Sequence, residues 1–171
     1  MLSLPFLRRF ALAFAFVLAP IGWAQTLPST SGETLSGKPI VLADAIRGHT
    51  VLLVAGFSRE GGNGAGDWIK AIHADPALAK ANVYQIAMIA GAPGFIRGMI
   101  KSGMKKGVAP ADQDRFVVFT TDEQAWKNFF GVSTDSDPYV ALIDAQGKVA
   151  WHAHGPAAQL EPQLKAALLH P

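Results

Sequence analysis

The chain has 171 residues, half of them hydrophobic and 16% charged, which provides for one folded domain and excludes a globally disordered polymer. Its 15 basic residues face 13 acidic ones, and two of the basic ones, Arg8 and Arg9, sit in an N-terminal leader. Without them 13 face 13, so no cationic excess is left to neutralise nucleic-acid phosphates. The absence of cysteine excludes disulfides and thiol chemistry.

Taken from the N-terminus, Arg8-Arg9, the apolar run Phe10 to Leu18, and then Pro20 and Gly22-Trp23-Ala24 have the order of a secretory signal. Residues 1–24 are therefore expected to be a signal peptide, with cleavage before Gln25 and an address in the periplasm or another exported space. An uncleaved membrane anchor is the alternative, although the run is short for a bilayer span. Residues 25–34 are polar and read as a flexible lead-in, followed by one domain over residues 35–171. Pro39 to Leu42 suits a short strand, and Asp44 to Gly48 a turn or helical step.

Val51 to Phe57 is a continuous β-favouring apolar run, as in a central strand buried on both faces. Gly61 to Gly66 then reads as a glycine-rich loop, and Asp67 to Ala81 as a helix that Pro76 interrupts or restarts. Val83 to Ala90 predicts a second strand, Phe95 to Lys106 a helix, and Phe116 to Thr120 a third strand. Asp122 suits an N-cap for a short helix carrying Trp126, Phe129 and Phe130. Tyr139 to Ile143, the turn at Asp144 to Gly147, and Lys148 to Ala153 form a hairpin, and Leu160 to Leu169 closes the chain as a helix. This order predicts an α/β fold of three layers, α/β/α, around a five-stranded mixed sheet.

That order resembles the thioredoxin-like superfamily in its peroxiredoxin or redoxin form. The resemblance is carried by Val51 to Phe57, by Asp137-Pro138-Tyr139-Val140, and by the hairpin Tyr139 to Val149 (YVALIDAQGKV). A narrower resemblance, on Gly56-Phe57-Ser58-Arg59, Trp68, Tyr139-Val140-Ala141-Leu142-Ile143-Asp144, Trp151 and Gly155-Pro156-Ala157-Ala158, is to the assembly-factor family of mitochondrial ATP synthase. That family is a cysteine-poor thioredoxin-like group whose mitochondrial members help to mature and insert a membrane subunit of the enzyme, and it also has bacterial relatives. Ala150 stands where the family usually has a basic residue, and the leader directs this chain away from mitochondria. The superfamily resemblance also implies a cis-proline at Pro138 that exposes backbone to an extended peptide, with a trans proline opening an edge strand as the alternative.

The candidate groove from sequence is Ser58, Arg59, Glu60, Gly61, Gly62, Asn63, Asp137 and Pro138. Its glycines admit close backbone approach, and its charges set selectivity. No P-loop or dinucleotide fingerprint is present there. His152 and His154 alternate on a strand and are a weak candidate metal pair; two ligands fall short of a site. Met88, Met99 and Met104 read as core filler. The expected function is non-catalytic binding of an unidentified protein or peptide, or assistance to assembly, with no cofactor, no nucleic acid and no stable membrane span after cleavage. The alternative is a redoxin-like oxidoreductase using a bound metal, flavin or other cofactor.

Overall fold

A computed structural model describes residues 26–169; the leader, its cleavage before Gln25, and the last two residues lie outside them. Twelve elements matter here: β1 (Ser31–Thr34), β2 (Pro39–Val41), α1 (Leu42–Ala45), β3 (Val51–Gly56), α2 (Arg59–Ala74), β4 (Val83–Met88), α3 (Gly94–Gly107), β5 (Phe116–Phe119), α4 (Glu123–Phe130), β6 (Tyr139–Ile143), β7 (Val149–His154) and α5 (Ala157–Leu169). They build one mixed sheet in the order β2-β1-β5-β4-β3-β6-β7. Strands β3, β4 and β5 run parallel; β6 lies antiparallel to β3 and continues into the β6–β7 hairpin.

All six residues of β3 are buried, which is what its unbroken apolar run requires of a strand covered on both faces. Alternation along the strands sorts side chains into two layers. Leu53, Ala55 and Phe57 face α1 and α4, where Trp126, Phe129 and Phe130 fill the core. Leu52 and Val54 face α2 and α5, meeting Trp68, Ile72 and Leu164. Helix α3 covers Ala87, Ile89, Phe116 and Val118 through its half-buried Ile100 and Met104.

The sheet has seven strands where the sequence predicted five. Part of the difference is Ser31–Thr34, expected to be loose, which pairs antiparallel with both β2 and β5. Thr34 makes this possible, because its hydroxyl accepts the Lys38 N–H at 3.0 Å and closes the β1–β2 turn. Leu35 then anchors the hairpin, buried against β5, with its N–H donating to the Phe116 carbonyl at 3.0 Å. Earlier in the chain, Thr30 donates to the Asp122 carboxylate at 2.9 Å. Asp122 therefore does not cap α4 with its side chain; it precedes the helix in a left-handed conformation, φ 56°.

The second correction concerns α2, which starts at Arg59 rather than Asp67 and ends at Ala74 rather than Ala81. The glycine-rich stretch is helix, not loop. Its end is set by Pro76, which disfavours helical backbone at the preceding residue; Asp75 is extended, at ψ 117°. Pro138 is the third correction: no cis peptide bond occurs among the described residues. It is a buried trans proline leading into β6, with its carbonyl accepting the Gly155 N–H at 3.0 Å.

Candidate functional site

Strand β3 ends at Gly56, and the chain turns through Phe57 and Ser58 into α2. Ser58 is the helix N-cap: its Oγ accepts the Gly61 N–H at 3.1 Å and its hydroxyl donates to the Asp135 carbonyl at 2.7 Å. Both capacities are therefore spent on structure, and Ser58 is not poised as a nucleophile. The glycines that follow serve close packing. A methyl group on Gly61 would lie 2.7 Å from the Asp135 carbonyl oxygen and 2.8 Å from that of Asp137, and one on Gly64 would lie 2.9 Å from the Pro138 ring. The helix can lie this low on segment 133–138 only because it has no side chains there.

Segment 133–138 is itself tied down from four directions. The Tyr139 hydroxyl donates to the Thr134 carbonyl at 2.9 Å and accepts the N–H groups of Ser133 and Thr134. Lys127 bridges Asp135, at 2.8 Å, and Glu123, at 2.9 Å; first the Asp135 and then the Glu123 hydrogen bond holds its ammonium above its ordinary pKa. His154 Nδ1 lies 2.8 Å from the Asp137 carboxylate, and its ring stacks on Tyr139 at 5.3 Å. Ser58 supplies the fourth tie.

A groove of about 870 Å³ opens on the other side of this junction, between α3 and the first turns of α2. Four of the sequence candidates, Ser58, Arg59, Gly62 and Asn63, line its rim, while Ile89, Ile100, Met104 and Val108 form apolar walls. Glu123 reaches it from α4 with its charge already met by Lys127. Arg97 fixes the β4–α3 turn at its edge, donating to the carbonyls of Ala90 and Ala92 at 2.7 and 2.8 Å.

The remaining candidates lie elsewhere. Glu60 is exposed outside the groove, Gly61 is buried against segment 133–138, and Asp137 and Pro138 lie across α2 from the groove. His152 and His154 share the exposed face of β7, but His154 is engaged by Asp137, and no cluster of three or more His, Cys, Asp or Glu residues among those described could hold a metal ion. The sequence reading missed the methionines. Met88 is core, but Met99 and Met104 line the groove and Met99 is 75% exposed. A signal was available, in that the α3 sequence carries more apolar residues than one buried stripe needs.

A parallel βαβαβ unit completed by an antiparallel hairpin defines a thioredoxin-like fold. Solved structures agree on the fold. A DsbE-type thiol:disulfide interchange protein from Chlorobium tepidum aligns with TM-score 0.56 at 22% identity, covering 84% of this chain and 95% of its own. Yeast Sco1 aligns with TM-score 0.57 at 12% identity over 88% and 99%. BsSco, of the Sco family of cytochrome c oxidase assembly proteins, aligns with TM-score 0.55 at 14% identity over 85% and 95%. The chain belongs to the ATP10 protein family, whose model matches residues 21–168. No curated protein sequence matches it. Two residues of the narrower sequence resemblance meet in the fold: Trp68 Nε1 donates to the Gly155 carbonyl at 2.9 Å.

Proposed function

We propose that this assembly-related thioredoxin-like protein is a non-catalytic holder, which receives an apolar stretch of a client polypeptide in the groove between α3 and α2. The observation that carries the reading is the pairing of that groove with a disarmed corner. The strand–helix junction at the end of β3 has no cysteine, and Ser58 there has both of its hydrogen-bonding capacities used to cap α2 and hold segment 133–138. Family membership supports a protein partner, and the sequence of residues 1–24 supports an exported location. Among the described residues no helix is long and apolar enough to cross a membrane.

The test is fluorescence polarisation with a labelled apolar helical peptide. Met104→Glu puts a charge in the groove wall and is expected to weaken binding by more than about tenfold. Arg59→Ala is expected to weaken it while leaving thermal stability almost unchanged, as for an exposed side chain. If both variants bind as tightly as the parent, the groove is not the client site. The purified protein is expected to turn over neither insulin disulfides nor peroxide, since exchange needs a thiolate. Turnover by a cofactor-free preparation would overturn the non-catalytic reading.

A further inference from the structure

Helix α3 has a second, outward surface that shares only Met99 with the client groove. Of the large hydrophobic side chains exposed among the described residues, two belong to it: Phe95, 89% exposed, and Met99, 75% exposed. They stand four residues apart, and Ser102 and Lys106 continue the same outer row at steps of three and four, with exposed Lys105 beside it. Ile96, Ile100 and Met104 take the inner row, where Ile100 and Met104 pack against the sheet. The helix contains Arg97, Lys101, Lys105 and Lys106 and no acidic residue, in a chain whose charges balance overall once Arg8 and Arg9 are set aside. Arg97 is committed to backbone carbonyls and Lys101 to Glu33, at 2.7 Å, which leaves Lys105 and Lys106 outside the ion pairs found.

We infer that this outer face seats the protein on an anionic lipid surface. Protruding apolar side chains beside cations on one short helix have the composition of an interfacial helix, in which the rings and thioethers enter the headgroup boundary and lysines meet phosphate charge. Shape distinguishes this surface from the client site. The groove is concave and fits a peptide, whereas Phe95, Ser102, Lys105 and Lys106 lie outside its lining on the exposed row of α3, open to a flat, deformable partner. Lysine at both remaining positions selects an anionic surface over a neutral one.

The test uses the full chain and two kinds of vesicle, phosphatidylcholine alone and phosphatidylcholine with phosphatidylglycerol. Because the chain has no cysteine, Ser102→Cys gives a single site for a polarity-sensitive dye on the outer row. Binding to the anionic vesicles is expected to be at least about tenfold tighter than to the neutral ones, with a blue shift of the dye. A dye at Gln163→Cys, exposed on α5, should not shift. The pair Lys105→Glu/Lys106→Glu should abolish the Ser102 shift, and Phe95→Ser, outside the groove lining, should weaken it on the anionic vesicles. Neither change touches a core residue, and a thermal melt checks that each variant remains folded. The leader has an apolar run and two arginines of its own, so the Ser102 dye and the lysine pair are the deciding readouts. Retention on vesicles with an unshifted dye, a shift that survives Lys105→Glu/Lys106→Glu, or no binding at all overturns the assignment. Peptide binding in the groove can persist or fail independently of all three results.

Discussion

Glycine has two opposite roles within one turn of α2. At Gly61 an added methyl group meets two backbone carbonyl oxygens under 3.0 Å, which cannot move without displacing segment 133–138. At Gly62 nothing lies within 4 Å of the added methyl, and the residue is helical. Gly62→Ala is therefore expected to stabilise the protein by about 0.5–1 kcal/mol, the ordinary gain of alanine over glycine in a helix. Gly61→Ala is expected to destabilise it by about 1–3 kcal/mol through overpacking. Denaturant melts of the two variants check this, and a loss of stability in both would contradict helix at residues 61–66. Ser58→Ala should cost about 1 kcal/mol as a lost N-cap, more if the Asp135 carbonyl finds no water.

Among the elements, the strands and helices with strong periodicity were legible from sequence: Val51 to Gly56, Val83 to Met88 and the β6–β7 hairpin all lie where the pattern puts them. What escaped depended on distant partners. Ser31–Thr34 has only one buried side chain, and its strand conformation comes from Phe116–Phe119 and Pro39–Val41 on either side. Gly61 to Gly66 reads as a loop on propensity alone, since the low helix propensity of glycine is outweighed by the close approach to Asp135, Asp137 and Pro138. Four of the eight sequence candidates fall on the rim of the groove because the end of β3 locates them; the α3 wall was not legible, because methionine in a helix gives no sign of whether core or cavity lies beside it. Limited proteolysis is accordingly expected to leave a core beginning before Ser31, and a core beginning at Leu35 would mean that β1 does not hold. The docking of α5 has its own test. Lys165 bridges Asp75 and Glu161, and first the Lys165 and then the Ala77 hydrogen bond lowers the pKa of Asp75 below its usual value. A carboxylate lowered on folding stabilises above its unfolded pKa of 3.8, and that stability is lost as pH falls through the lower folded value. Asp75→Asn should flatten this acid limb by lowering stability at neutral pH while leaving it little changed at the acid end, where the carboxylate is already protonated; an unchanged limb would show that the pair is not formed in solution.

For the molecule as a whole, stability is unevenly distributed. Helices α2 and α4 bury Trp68 and Trp126 completely, while α3 has no fully buried residue and contains Gly94, Gly98, Gly103 and Gly107, two of them in its middle turns. Each interior glycine costs a helix about 1 kcal/mol relative to alanine, and α3 has little packing to offset it. The groove between α3 and α2 thus has one fixed wall and one wall near the threshold of local opening. In amide hydrogen exchange, α3 is expected to lose protection well before α2 or the β3–β4 pair, at a free energy below that of global unfolding. Gly98→Ala and Gly103→Ala, both with open space around the added methyl, should slow exchange in α3 without altering exchange in β3. An aperture whose width is set by the breathing of one helix would accept apolar segments of differing bulk, so clients should be discriminated by how soon they let that helix close.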